Sequence, residues 1–118
     1  MVRMSNEDKV FDSVAELFAL LSTPIRLKII CAVCHGEKNV SELLAEIDTT
    51  QPNMSQHLAM LYRSGVLSRR REGKQIFYRL QSERVSTLCH AVCAQVAIEL
   101  DGESPISPAD RLLPSTHR

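Results

Sequence analysis

The stretch from Thr49 to Leu80 constrains the fold more than any other part of the chain, because it joins a short amphipathic helix to a charged hairpin. Thr50 is a favourable N-cap, and Pro52 fits the first turn of the helix that follows. Apolar side chains at helical spacing predict one buried face, formed by Met54, Leu58 and Leu61. Gly65 is expected to end this helix, since glycine is the favoured residue just past a helix terminus.

The hairpin after this helix is predicted to consist of strands over residues 66–71 and 75–80 around a Glu-Gly-Lys turn. Between residues 63 and 79 there is a single acid, Glu72, and the basic residues are Arg63, Arg69, Arg70, Arg71, Lys74 and Arg79. A polar-faced helix followed by a basic hairpin is typical of a winged helix-turn-helix. In that fold, the helix reads base edges in the major groove and the wing contacts phosphate.

The candidate DNA-contacting residues lie on the polar side of the predicted helix and in the wing. They are Gln51, Asn53, Ser55, Gln56, His57, Arg63, Arg70, Arg71 and Lys74. Glutamine and asparagine can pair bidentately with adenine, which points to double-stranded operator DNA as the partner. The chain has 14 basic and 14 acidic residues, so net charge does not itself favour nucleic acid. A solvated hairpin on a protein-interaction module is the alternative that charge leaves open.

The rest of the chain reads as further helices around this unit. They are predicted over residues 10–21, about 24–34, about 40–47 and 83–100. Thr23 and Asn39 are the expected N-caps of the second and third helices, and Glu42 completes a capping box with Asn39. The residues expected to be buried on these two helices are Ile25, Leu27, Ile30, Cys31, Val40, Leu43, Leu44 and Ile47.

The fold class predicted is mainly α with a small β-hairpin: a winged helix-turn-helix of about five helices. Residues 1–9 are expected to be flexible, residues 10–100 to form the DNA-binding and dimerisation domain, and residues 101–118 to form a polar tail. The first and last helices carry apolar stripes: Val10, Phe11, Val14, Leu17 and Phe18, then Val85, Leu88, Val92 and Val96. These stripes favour a homodimer, because a symmetric pair of wings reads two half-sites. Closure of a monomeric core is the alternative.

Other function classes find little support in the sequence. There is no glycine-rich phosphate loop, paired carboxylate constellation or Ser/His/Asp arrangement, so we expect no enzyme activity. No apolar run is long enough to span a bilayer and no signal-peptide pattern begins the chain, which predicts a cytoplasmic protein without a membrane partner. The four cysteines are then expected to be thiols.

The chain resembles the ArsR/SmtB family of dimeric bacterial repressors over about residues 10–100. The matching segments are STPIRLKII, VSELLAEI, QPNMSQHLAMLYRSGVL and RREGKQIFYRL. The resemblance implies a repressor that leaves DNA when an effector binds or oxidises a site away from the DNA surface. The arsenic-type site of the family needs cysteines in the third helix, and NVSELLAEID has none. The zinc-type site needs Asp-x-His after the wing, where Ser82 and Arg84 stand here. We therefore expect no metal cofactor of either type.

The cysteines form two pairs at helical spacing, Cys31 with Cys34 and Cys89 with Cys93, on two different helices. The first pair is a CxxC, but it falls at the C-terminal end of its helix, where the dipole disfavours thiolate. This position argues against a dithiol oxidoreductase. Buried packing is the ordinary role of any single cysteine, but two pairs in one short chain favour a sensory role.

The family members most similar in this respect are the persulfide and redox sensors of the SqrR/BigR type. They carry a cysteine at the position of Cys31 and a partner near the end of the last helix. Here Cys93 falls about one turn earlier, and Cys34 lies about one turn beyond Cys31. With antiparallel packing, these offsets predict a Cys34–Cys93 link, with Cys31–Cys93 as the second choice. The resemblance implies reactive sulfur species or an oxidant as inducer. Arsenite or antimonite, held by three of the thiolates of Cys31, Cys34, Cys89 and Cys93, is the alternative that stays open.

Overall fold

The computed structural model describes residues 5–102. The helices are α1 (Asn6–Leu20), α2 (Pro24–Val33), α3 (Val40–Glu46), α4 (Gln51–Arg63) and α5 (Glu83–Asp101). The strands are β1 (Lys38–Asn39), β2 (Leu67–Glu72) and β3 (Gln75–Leu80), which form one antiparallel sheet in the order β1-β3-β2. The arrangement is a winged helix-turn-helix: α3 and α4 form the helix-turn-helix, and the β2–β3 hairpin is the wing.

Helix starts follow the predicted caps. Thr23, Asn39 and Thr50 each accept a hydrogen bond from a backbone N–H of the first turn, and Asn39 with Glu42 forms the expected capping box. The start of α1 was predicted too late. Ser5 and Asp8 form a second capping box, so the helix begins at Asn6 and includes residues 6–9, which were expected to be flexible. Residues 1–4 and 103–118, where the expected flexible start and most of the polar tail fall, lie outside the described residues.

The core surrounds α2, which lies among α3, α4 and β3. Its buried residues are Ile29, Ile30, Ala32 and Val33, whereas Ile25, Leu27 and Cys31, predicted to be buried, are only partly covered. The face of α2 was therefore predicted about one residue out of phase, because an almost entirely apolar helix has a weak periodic signal. The predicted buried face of α4, formed by Met54, Leu58 and Leu61, is confirmed, with each side chain at most 1% exposed.

The sheet contains one strand that the sequence did not predict. β1 pairs with β3 through Lys38↔Tyr78 and Asn39↔Phe77, and two residues are too short a segment to show a strand period. The wing strands pair from Leu67↔Leu80 to Glu72↔Gln75, so β2 lies one residue later than predicted. Gly73 opens the two-residue loop with a φ of +63°, a conformation that favours glycine.

The two terminal helices leave much of their apolar surface uncovered. α1 has no buried residue, and α5 buries only Val85. Phe11 is 65% exposed, Phe18 54% and Val92 51%. Of the predicted stripe residues, Val85 is part of the core, and Leu17 and Leu88 pack against it. Closure of a monomeric core therefore accounts for these three residues and not for the exposed remainder of the stripes. No helix within residues 5–102 is long and apolar enough to cross a membrane.

Candidate DNA-binding surface and thiol site

The polar face of α4 presents a row of side chains to solvent. Gln51, Ser55, Gln56 and Arg63 are exposed, as expected of residues that contact DNA. Asn53 is only partly exposed, and its Nδ2 donates to Thr49 Oγ1 at 2.7 Å. The Asn53 side chain therefore stabilises the turn between α3 and α4.

His57 lies against α2 and not on the open face of α4. Its Nδ1 accepts a hydrogen bond from Arg26 Nε at 3.1 Å, and Arg26 Nη1 donates to the Leu20 carbonyl at 2.8 Å. Partial burial and the nearby Arg26 guanidinium lower the pKa of His57, which keeps the imidazole neutral and able to accept. Arg26 thus joins the end of α1 to the recognition helix, a contact that the sequence pattern did not indicate.

The basic residues of the wing fall into two groups. Arg71 and Lys74 are exposed near the tip of the hairpin, where phosphate contact was predicted. Arg69 stacks over the Tyr62 ring of α4, with 3.9 Å between its Cζ and the ring centroid. Arg70, also predicted to contact phosphate, is instead paired with two carboxylates, those of Glu37 and Glu72. Arg69 and Arg70 are therefore exposed residues that also make contacts within the protein.

All four cysteines line one cavity of about 280 Å³ between α2 and α5. The four sulfurs are present as thiols, and each residue is partly buried. Aliphatic and basic side chains complete the lining: Leu27, Ile30, Leu80, Lys28, His35 and His90. The structure thus brings together the two cysteine pairs that the sequence placed on separate helices.

The pKa values of Cys31, Cys34 and Cys89 are raised, in each case first of all by burial. Burial raises the pKa of Cys31, and the negative charges of Cys34, Cys93 and Glu46 raise it further. Burial also raises the pKa of Cys89, followed by the charges of Cys93 and Cys31. For Cys34, burial raises the pKa and a backbone hydrogen bond partly opposes this shift. Cys31 therefore lies within electrostatic reach of both thiols on α5.

The predicted first choice, Cys34 with Cys93, is less well supported by this geometry than Cys31 with Cys93. Cys34 is the C-cap of α2, and its Sγ donates to the Cys31 carbonyl at 3.0 Å. Its thiol is thus turned back onto its own helix. Within the described residues, no group of three or more His, Cys, Asp or Glu side chains could hold a metal ion.

Known proteins share both the sequence and the fold. The family described as "Bacterial regulatory protein, arsR family" matches residues 23–69. The biofilm growth-associated repressor of Xylella fastidiosa strain 9a5c is 42% identical over 98 residues, which are 78% of this chain and 86% of that protein. The crystal structure of the transcriptional repressor BigR from Xylella fastidiosa superimposes with a TM-score of 0.67 at 35% identity, covering 84% of this chain and 96% of that chain.

A homodimeric winged helix-turn-helix DNA-binding domain from Mycobacterium bovis has the same fold, with a TM-score of 0.67 at 28% identity. The match covers 87% of this chain and 94% of that one. These relatives are regulators of transcription and not enzymes, in agreement with the polar recognition helix and the basic wing. The chain belongs to the bacterial ArsR family of DNA-binding transcriptional repressors.

Proposed function

We propose that the protein binds its operator as a homodimer and releases it when a covalent link forms between a cysteine of α2 and a cysteine of α5. The observation that carries this proposal is the shared cavity between α2 and α5, which is lined by all four cysteines of the chain. Four unrelated packing cysteines would have no reason to meet in one place.

Operator recognition is assigned to α4 and the wing tip. Gln51, Ser55 and Gln56 are exposed on the recognition helix and can reach base edges, whereas Arg71 and Lys74 are placed for phosphate. Homodimerisation is supported by the uncovered apolar faces of α1 and α5. A two-fold dimer would hold two recognition helices about one DNA turn apart, roughly 34 Å.

The chemistry of the switch follows from the thiol neighbours. A Cys31 thiolate attacks a sulfane sulfur of an inorganic polysulfide, forming a Cys31 persulfide and releasing a polysulfide one sulfur shorter. The Cys93 thiolate then attacks the inner sulfur, forming the Cys31–Cys93 disulfide and expelling hydrosulfide. The two thiols are oxidised and the sulfane sulfur is reduced. A peroxide would give the same disulfide with two waters as the product. A disulfide needs Cα atoms within about 7 Å, and this requirement fixes the separation of the two helices in the linked state.

Closure matters for DNA because α5 has two roles. One side of α5 faces α2 across the thiol cavity, and the exposed side is the proposed dimer face. Drawing α5 toward α2 would change the spacing of the two recognition helices. A difference of about 3 kcal/mol in operator affinity between the two states is enough for a response above a hundredfold.

The proposal is tested by treating the protein separately with polysulfide, peroxide and arsenite, with intact-mass analysis and an operator-binding assay after each. Cys31→Ser and Cys93→Ser should bind DNA normally and no longer be released by polysulfide or peroxide. Cys34→Ser is the matched control, because its thiol is turned away from α5, and it should still respond. Normal release in all four single serine variants would contradict a thiol switch. Release by arsenite alone, with a requirement for three cysteines, would establish arsenite or antimonite as inducer instead.

A further inference from the structure

Arg70 in the wing is held by three groups at once. Its Nε donates to both carboxylate oxygens of Glu37, at 2.9 and 3.0 Å, and Nη2 pairs with the same carboxylate. Its Nη1 donates to Glu72 Oε1 at 2.5 Å. The guanidinium also lies over the Phe77 ring, with 4.7 Å between Cζ and the ring centroid. A planar guanidinium with fixed donors is suited to this combination, whereas a lysine ammonium is not.

The position of Glu37 shows which two parts of the fold this network joins. Arg70 is on β2 and pairs with Phe77 on β3, which in turn pairs with Asn39 on β1. Glu37 immediately precedes β1, so the Arg70 side chain crosses the sheet from the wing to the segment that leaves α2. A second contact, from Asn39 Nδ2 to Gln75 Oε1 at 3.1 Å, joins the same two parts.

The segment that leaves α2 begins at Cys34. Its N–H donates to the Cys31 carbonyl at 3.4 Å, and the Gly36 N–H donates to the Val33 carbonyl at 3.4 Å. Only His35 and Gly36 therefore lie between Cys34, whose thiol lines the cavity, and Glu37, whose carboxylate holds Arg70, and this segment forms a hydrogen-bonded turn. A displacement of the end of α2 would move Glu37 with it.

We propose that Glu37 and Arg70 are positioning residues that tie the wing to the thiol-bearing end of α2, so that Arg70 orients the wing and does not contact phosphate. Through the same contact, a displacement of the end of α2 caused by a reaction at the thiol cavity would also shift the wing. This second part rests on the proposed thiol switch, whereas the first part does not.

The role of Arg70 is tested by operator binding as a function of salt. Each lost phosphate contact lowers the slope of the logarithm of affinity against the logarithm of salt by about one. In Arg71→Gln, the salt slope is expected to fall by about one. Arg70→Gln should weaken operator binding with an unchanged slope, and Arg70→Lys should be as weak as Arg70→Gln because it lacks the fork. A slope lost in Arg70→Gln and restored in Arg70→Lys would overturn the assignment.

Transmission is tested by the ratio of operator dissociation constants with and without polysulfide. In Glu37→Gln, mass analysis should find the same cysteine product as in the wild type, while the ratio falls by about fivefold, the lower end of ordinary coupling. Lys38→Gln is the matched control, because it opens the comparable Lys38–Glu46 ion pair, 2.8 Å long, and leaves the carboxylate near Cys31 in place. If Glu37→Gln has the same ratio of operator dissociation constants as the wild type, the proposal that Glu37 passes the change to the wing is wrong. If wild type is not released by any thiol reagent, the switch fails, and the salt slopes alone decide the role of Arg70.

Discussion

Burial sets the reactivity of single thiols in the cavity. The pKa values of Cys31, Cys34 and Cys89 are all raised, in each case first of all by desolvation, which disfavours the thiolate. Because the folded state prefers the neutral thiols, their contribution to stability is complete below the ordinary thiol pKa and is lost as pH rises past it. An inducer must therefore compete with a proton, and the response is expected to be stronger in mildly alkaline solution.

This residue-scale property predicts the pH dependence of alkylation. With iodoacetamide, the native protein should be modified at Cys31 and Cys89 more slowly than the urea-unfolded chain at the same pH, because fewer thiolates are present. The difference should shrink as pH rises through the raised pKa values. Peptide mapping by mass spectrometry gives the rate at each cysteine. Equal rates in native and unfolded protein would show that burial does not control these thiols.

Within α4, opposite faces perform different tasks, and this predicts two classes of DNA-binding variant. Gln56→Ala removes an exposed candidate for base contact and should weaken operator binding by about 1–3 kcal/mol, with less effect on random DNA. Lys74→Ala removes a candidate phosphate contact in the wing. Lys74→Ala should weaken binding to operator and to random DNA alike and lower the salt slope by about one. Titrations of operator and random duplex at several salt concentrations measure both quantities. A Gln56→Ala variant with the same loss on both duplexes would not be a sequence-reading variant.

The elements themselves were largely predictable, because the signals that set their ends are local. A cap lies three residues from the N–H it accepts from, as with Thr50 and Asn53, so both partners are visible in one short window. The turn of the wing was likewise marked by Gly73. The contacts of His57 with Arg26 and of Arg70 with Glu37 are different in kind. Their partners lie 31 and 33 residues away in the chain. No local pattern can indicate such pairs.

The choice of cysteine pair stays a prediction, because the local pattern lacks the information needed to decide it. The sequence spacing of the cysteines correctly predicted that those of α2 lie near those of α5. It does not indicate the direction in which each thiol points. Cys34 is at the last position of its helix, and its hydrogen bond to the Cys31 carbonyl turns the sulfur away from Cys93. The carbonyls of the last helical turn lack the N–H donor that a continuing helix would supply, so a side-chain donor at the C-cap can bond to one of them.

On the scale of the whole molecule, the distribution of apolar surface is uneven. The core is formed by α2, α3, α4 and the sheet, whereas α1 and most of α5 extend outside it. The exposed large apolar side chains are concentrated on the terminal helices. They include Val10, Phe11, Val14, Phe18, Val92, Val96 and Leu100. Such a surface is unusual for a monomer and typical of an interface.

The dimer is tested by placing a charge on the exposed stripe. Phe18→Glu or Val92→Glu should leave the single subunit folded, because these side chains are 54% and 51% exposed there. In a dimer, each would bury an unpaired carboxylate at a cost of several kcal/mol. Sedimentation should therefore find monomers with normal helical circular dichroism and strongly weakened operator binding. Ser41→Glu, on an exposed position of α3, adds the same charge and should remain a dimer. Wild type that sediments as a monomer at micromolar concentration would contradict the prediction, since the terminal stripes would then have no partner in a second copy.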